Sequence, residues 1–443
     1  MAYLFSFCQK LKNCGVLFQT VQPYLVWGDR KIHWMSIPYL VCVPVLFIHY
    51  IFNVFSMFNL MSVDHNEKYI FEAEWYDKIA TILKKFYLYY YPYDNTVELF
   101  DVQARKTFLR RTKCEGIQAE DFYVGATVTI FSRNITITDY ADCNTRTKLQ
   151  TKMQKTFAML KPNVLDKTGE ILKRIIACNF LITNIKTIKL SQDEAAQFCQ
   201  DKHDSNITYV VNHLTSGPIV ALELLSDHAI TRWCEAMGPE DSEEARTKAP
   251  SSLRACYGKD SIHNAVYGSA NEDTAEKELQ LFFPNSKSRI KKPSNTATFD
   301  NCTCCIIKPH AVQAKLIGDI IEDIQRAGYM ISALQQFCVN PFDAEEFLEV
   351  YKGVLPDYAM VGELQSGPCV VMEIKHKDEK YDVQGEFRKL CGPMVPDIAR
   401  QVRPDTLRAK YGKSKVQNAL HCSDLPEDGI LEVEYFFKIL DST

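Results

Sequence analysis

No surplus of positive charge runs through this chain. Lys and Arg number 51 against 55 Asp and Glu, a formal net charge of −4, so nothing in the balance calls for nucleic acid as a partner. Cysteine is plentiful at sixteen residues, yet it lacks the regular spacing of a disulfide scaffold and the second paired cluster that a zinc site needs. Reduced thiols in a cytoplasmic protein are expected, and no metal site. The densest group, Cys302, Cys304 and Cys305 in NCTCCIIKP, reads as a buried strand using Cys as a small hydrophobe. The longest absence is of charge itself: Ile32 to Val63 contain no Asp, Glu, Lys or Arg. That run is apolar enough to span a bilayer. Pro38, Pro44, His49 and two Asn interrupt it, and no signal-peptide cleavage pattern follows. Residues 1–60 are therefore read as an apolar extension, an artefact or an anchor, with Met61 as the usual start preferred over a membrane partner.

What is present reads as globular, with 46% hydrophobic and 24% charged residues over 443 positions, long enough for two to four domains. Residues 64–150 are β-rich. FYLYYYPYDNTVELFDV alternates on both sides of Asp94-Asn95, a hairpin, and TVTIFSRNITITDY repeats the theme with a turn near Arg133-Asn134. Arg105, Lys106, Arg110, Arg111 and Lys113 read as a solvated strand edge open to an acidic partner. This module holds no catalytic constellation.

The rest of the chain repeats itself. KTFAMLKPN matches TCCIIKPH, LTSGPIVALEL matches LQSGPCVVMEI, LRACYGKDSIHNAVYGS matches LRAKYGKSKVQNALHCS, and ELQLFF and EVEYFF close the copies. The offset is 147 at Lys161 and Lys308 and 154 at Tyr267 and His421, so the copies, residues 153–285 and 301–443, are nearly equal in length. The polar stretch between them, residues 286–300, reads as a linker. Within a copy, strand and helix patterns follow the order βαββαβ, with Ile171, Leu172, Ile175 and Ile176 on one helix face. The expected class is α+β: a small all-β N-terminal module followed by two ferredoxin-like sandwich domains in tandem, helices on one face of each antiparallel sheet.

The strand-Lys-Pro element, the SGP strand, LR-x-x-[YF]-G and NA-x-H-x-S with its closing E-x-x-x-FF together resemble the nucleoside diphosphate kinase family, here in tandem. The β-rich module, with EAEWYD, the hairpin and KTFLRR, resembles the DM-ten domain. The kinase resemblance implies phosphoryl transfer from a nucleoside triphosphate such as ATP to a histidine, then to a nucleoside diphosphate. A carboxylate on the other ring nitrogen sets the tautomer, cations neutralise the transferring group, and Mg²⁺ arrives with the phosphates. In the second domain it implies His421 as nucleophile and Glu432 as its orienting carboxylate. Lys308, Arg388 and Arg408 would hold phosphates, Asn418 a sugar hydroxyl, and Ser423 the histidine turn. The departures are Cys422 for the usual glycine, Met394 for the usual threonine, and a replaced base clamp near Val354–Pro356.

The first domain departs further. Lys161, Arg254, Asn264, Ser269 and Glu278 fit the pattern, but Tyr267 stands at the nucleophile position, Cys234 at the first arginine and Asp204-Ser205-Asn206 at the clamp. A phenol with an ordinary pKa of about 10 is a poor nucleophile at neutral pH, and His263 reads as a surface residue. This domain is expected to be structural or at most nucleotide-binding. Two function classes remain open: a kinase working through the second domain, or a microtubule-associated scaffold with little or no activity. The DM-ten resemblance implies ciliary or flagellar axonemes, and the resemblance of the whole arrangement, one such domain and two kinase domains, implies a place in doublet microtubules beside tubulin and association with γ-tubulin complexes at the centrosome.

Overall fold

The computed structural model describes residues 67–442, apart from 78–79, 81, 115–116, 118, 132, 151–152, 201–206, 285–292 and 352–356. The extension 1–60, the start at Met61 and both clamp segments, 204–206 and 354–356, lie outside the described residues.

Six strands open the described chain: β1 (Tyr69–Asp77), β2 (Ile82–Tyr91), β3 (Thr96–Asp101), β4 (Lys106–Lys113), β5 (Thr127–Ile130) and β6 (Arg133–Tyr140). They form one antiparallel sheet in the order β4-β3-β2-β1-β6-β5. The period-2 pattern buries every second residue, so Leu88 and Tyr90 on β2 lie in register with Leu99 and Val97 on β3, all within the core. The β2–β3 connection turns at Asp94-Asn95, where Asn95 adopts φ 53°. The second hairpin turns two residues earlier than its sequence suggests. Ile130 pairs with Arg133 and Phe131 takes φ 46°, because that register lets Ile135 and Ile137 point inward. Strand β4 is an outer edge, with Lys106, Arg110, Arg111 and Lys113 exposed. One of these cations is engaged within the sheet: Arg111 lies 2.7 Å from Asp94 and stacks over the Tyr91 ring.

The repeated halves share a single sheet. In the first are β7 (Met153–Leu160), β8 (Leu181–Ile188), β9 (Ile219–Asp227) and β10 (Val266–Gly268). In the second are β11 (Thr303–Ile307), β12 (Met330–Cys338), β13 (Pro368–Lys375) and β14 (Leu420–Cys422). The order is β10-β7-β9-β8-β12-β13-β11-β14, two ferredoxin-like halves joined where Lys186 on β8 meets Gln335 on β12. Expecting helices on one face alone underestimates the cover. Ala158 and Leu160 pack against helix Thr168–Ala177, while Phe157 and Met159 on the opposite face pack against helices Gln192–Cys199, Ile207–Thr215 and Glu272–Phe282. A strand buried on both faces reads as a continuous apolar run rather than an alternation, as TFAML does.

Close backbone contact seals the seam between the halves. Helix Thr168–Ala177 crosses helix Ile317–Arg326 at Gly169 and Gly318, where a Cβ would overlap the backbones of Glu322 and Lys173 respectively. Replacing either glycine forces the helices apart, an overpacking cost of about 1–3 kcal/mol. Lys186, almost fully buried, lies 3.2 Å from Asp441 near the far end of the chain. The segment read as a linker is tied down in its second half. Thr296 donates to Ser332 O and bonds Thr187, and the Thr298 and Phe299 amides donate to the buried Glu373 carboxylate at 2.9 and 2.7 Å. Its polar composition serves these bonds to the sheet.

Candidate active site

Strand β14 is short because its neighbours hold it by specific bonds rather than by length. Ala419, just before it, adopts φ 73°; its carbonyl accepts from the Lys308 amide at 2.9 Å, and its own amide donates to His310 Nε2 at 3.2 Å. The strand then pairs with β11, His421 opposite Ile306. This places the imidazole against Glu432, which helix Pro426–Glu434 carries back towards the sheet.

His421 Nε2 lies 2.9 Å from Glu432 Oε2, and Ser423 Oγ donates to the same oxygen at 2.7 Å. Ser423 is itself held, since its hydroxyl accepts from the Cys304 amide and its carbonyl from Gln384 Nε2. An anionic carboxylate accepts only, so in the neutral ring the proton sits on Nε2 and the lone pair on Nδ1. Phe347 packs edge-on to the imidazole with ring centroids 5.3 Å apart. Burial works against the imidazolium, but Glu432 outweighs it and the histidine pKa rises above its ordinary value.

Cationic charge converges on this ring. Lys308, 5% exposed, donates to Val416 O at 2.9 Å. Its pKa is lowered to about 8 by burial first and then by the Arg408 charge. Arg408 is buried and bonds Gly392 O at 2.8 Å and Leu420 O at 3.3 Å, with Nη2 3.6 Å from Cys422 Sγ. Arg388 stands at the rim, half exposed, 3.0 Å from Asp424. Asn418 donates to Met394 O at 3.2 Å, while its buried Oδ1 has no hydrogen-bond partner. Among the described residues no group of His, Cys, Asp and Glu is arranged to hold a metal ion.

The first domain keeps the frame and changes the chemistry. Tyr267 Oη donates to Glu278 Oε1 at 2.6 Å and Ser269 Oγ to Glu278 Oε2 at 2.5 Å, the same relay with a phenol in place of the imidazole. Burial, then the Glu278 charge, push the Tyr267 pKa far above its ordinary value. Lys161 donates to Ile262 O, Arg254 to Gly238 O and Val266 O, and Asn264 to Glu240 O, as their counterparts do in the second domain, and Asn264 donates to Ser261 O besides. A cavity of about 660 Å³ adjoins Lys161 and Tyr267, and Glu240, Asp241 and Glu244 line it. The repeat places Met394, Val395 and Ile398 at the corresponding positions of the second domain. Cys234 is exposed where the second domain has Arg388. His263 lies at the surface with Nδ1 2.9 Å from Asp260 and does not approach Tyr267's place in the relay.

Sequence reasoning missed a second buried group. His310 Nδ1 donates to Glu363 at 2.6 Å, and Gln417 donates to the other carboxylate oxygen. Because His310 also accepts from the Ala419 amide, this chain holds the backbone that leads to His421. The repeat puts Asn163, His213 and His263 at the corresponding positions, and there His213 Nε2 meets Asn163 Oδ1 at 3.1 Å. The signal was in the alignment of the two copies, which pair three polar positions whose residue types all change.

This arrangement and fold place the chain in a class: it belongs to the nucleoside diphosphate kinase family. The family model for nucleoside diphosphate kinase matches residues 154–288 and 301–441, and that of the DM10 domain matches 60–144. Among individual proteins, the chain is 47% identical over 381 residues to nucleoside diphosphate kinase homolog 7 of Rattus norvegicus, covering 86% of this chain and 95% of that protein. The Mus musculus protein of the same name is 46% identical over the same shares. The crystal structure of the Aquifex aeolicus nucleoside diphosphate kinase matches at 35% identity over 29% of this chain and 92% of that one, with a TM-score of 0.28.

Proposed function

We propose that the second domain is a working nucleoside diphosphate kinase. His421 Nδ1 attacks the terminal phosphorus of a nucleoside triphosphate, the nucleoside diphosphate leaves, and a second nucleoside diphosphate takes the phosphoryl group back from the ring. The observation that carries this is the His421–Glu432–Ser423 relay beside the Lys308 and Arg408 cations. Glu432 holds the proton on Nε2 and so presents the lone pair of Nδ1. Lys308 and Arg408 counter the charge spread over the transferring group. Mg²⁺ enters as part of the nucleotide substrate. The orphaned Oδ1 of Asn418 suits a sugar hydroxyl. The first domain, with Tyr267 and three cavity carboxylates, serves as structure.

A second reading, a scaffold on ciliary or flagellar doublet microtubules and at centrosomal γ-tubulin complexes, is favoured by the exposed cationic edge β4 and by a first domain that keeps its frame without a nucleophile. Both roles fit one cytoplasmic and cytoskeletal protein. Incubation of the full chain with radiolabelled ATP and Mg²⁺ is expected to give acid-labile phosphohistidine, reduced more than about 1000-fold in His421→Ala. Label retained at the wild-type rate in that variant overturns the assignment. The same variant is expected to stay with salt-washed doublets; its release would tie attachment to catalysis, and release of the unaltered chain by moderate salt would defeat the scaffold reading.

A further inference from the structure

We propose that His310 is a positioning residue for the transfer step: its Nε2 lone pair holds the Ala419 turn from which His421 is presented. The effect on transfer rests on the kinase reading above; the hold on the turn does not. Two partners fix the state of the His310 ring. Glu363 Oε1 accepts from the His310 amide at 3.1 Å and from Nδ1 at 2.6 Å, and a carboxylate only accepts, so the proton sits on Nδ1. The lone pair is left on Nε2, where the Ala419 amide donates to it at 3.2 Å. His310 and Glu363 are both buried, so bulk water does not make good a lost bond.

Ala419 needs that hold. It lies fully buried at φ 73°, a conformation that a residue with a Cβ keeps only where its surroundings impose it. Its amide belongs to the peptide plane before its Cα and its carbonyl to the plane after it. The His310 ring takes the first, and the Lys308 amide takes the second at 2.9 Å, so three consecutive residues set both dihedral angles of the turn. Glu363 adds a further grip, since its other oxygen accepts from Gln417 Nε2 at 3.2 Å. His421 lies two residues past the turn, in a strand of three residues. The direction in which the chain leaves Ala419 therefore bears on where the imidazole meets Glu432.

The first domain keeps the turn and uses the His310 position otherwise. Ala265 takes φ 69°, and its carbonyl accepts from the Lys161 amide at 2.8 Å. Asn163, which stands where His310 does, turns its side chain elsewhere: Oδ1 meets His213 Nε2 at 3.1 Å and Nδ2 donates to His263 O at 3.3 Å. The turn thus forms without a histidine there. A ring acceptor on its amide belongs to the half that carries the nucleophile, which ties His310 to transfer more than to folding.

Initial rates of phosphohistidine labelling of the full chain, measured against the concentration of radiolabelled ATP with Mg²⁺, separate placement of His421 from nucleotide binding. His310→Ala is expected to lower the maximal rate about 10- to 100-fold, since a misplacement of about 1 Å at a reacting centre costs on the order of 100-fold. The half-saturating ATP concentration should change less than about three-fold. His310→Asn keeps an amide near the place of Nδ1 but falls short of Ala419, and should be as slow as the alanine variant. His310→Gln presents its side-chain oxygen near the place of Nε2 and should recover the rate to within about three-fold of the unaltered chain. Hydrogen exchange followed by mass spectrometry, over the peptides that contain Ala419, should be faster in the Ala and Asn variants and slowed again in the Gln variant. The comparison of Asn with Gln stands even where the alanine variant does not fold. Equal rates in the unaltered chain and His310→Asn overturn the proposal, as does an equal loss in His310→Asn and His310→Gln. A loss seen only in the half-saturating concentration assigns His310 to nucleotide binding and overturns it too. If the full chain never labels, the kinase reading falls, and the exchange pattern alone decides whether His310 holds Ala419.

Discussion

The two kinase-like domains are built on one frame and differ at the atoms that matter for chemistry. Each carries a lysine bonded to a loop carbonyl, an arginine bonded to two backbone carbonyls, an asparagine on a turn and a serine sharing a glutamate. In the second domain that glutamate orients an imidazole; in the first it accepts from a phenol that burial keeps protonated. The lesson is that these invariant-looking bonds are the scaffold's own: they survive intact where the nucleophile, the rim arginine and the neutral cleft wall have all gone. A full set of matching polar residues therefore identifies the fold, while the group at the centre of the relay, the rim cation and the cleft wall together set the two sites apart.

The sharpest way to test that contrast is to alter the shared glutamate in both halves. Glu432→Gln is expected to lower phosphohistidine formation by on the order of 100-fold or more, since an amide in place of the carboxylate no longer fixes the ring tautomer. Glu278→Gln should leave the labelling rate of the full chain unchanged while lowering thermal stability, because it loosens the buried Tyr267 and Ser269 bonds. Equal effects from the two substitutions, read in one radiolabelling series, would erase the distinction between the halves.

A smaller signal is expected from restoring the histidine alone. Tyr267→His in a His421→Ala background should give less than about 1% of normal labelling, since it recovers neither the cation replaced by Cys234 nor a wall free of Glu240, Asp241 and Glu244. Labelling near the normal level would show that the nucleophile was the only thing missing.

The least effect separates the two backbone-holding groups by pH. Burial first, then the charges of His263 and Lys161, lower the His213 pKa to about 4. Its stabilising contribution is therefore complete above the unfolded pKa of about 6.5 and is lost as pH falls towards about 4, because the unfolded chain takes up the proton first. His213→Gln should reduce the loss of stability between about pH 7 and about pH 5 by about 2 kcal/mol at most, visible as a Tm difference of a few degrees. At the matching place in the second domain stands Glu363, whose carboxyl is held below its ordinary range by His310 against the effect of burial, so its loss begins at lower pH. An unchanged pH profile in His213→Gln would remove this difference.

Much of the architecture was legible in local pattern. The tandem repeat, the strand and helix order and the β-rich module follow from periodicity and from repeated motifs, which depend only on neighbours along the chain, and the residues around His421 from the resemblance to the kinase family. The joining of two halves into one eight-stranded sheet did not. It depends on Gly169 lying against Glu322, on Gly318 lying against Lys173 and on Lys186 reaching Asp441, contacts between residues far apart whose types signal nothing by themselves. Nor could the spacing show that His310, Glu363 and Gln417 act as one group, since polar residues acquire their partners only when burial denies them water. The sequence by itself determined which groups were available, His421 in one half and Tyr267 in the other. Tertiary structure alone decided their state: what each is hydrogen-bonded to and how deeply it is buried.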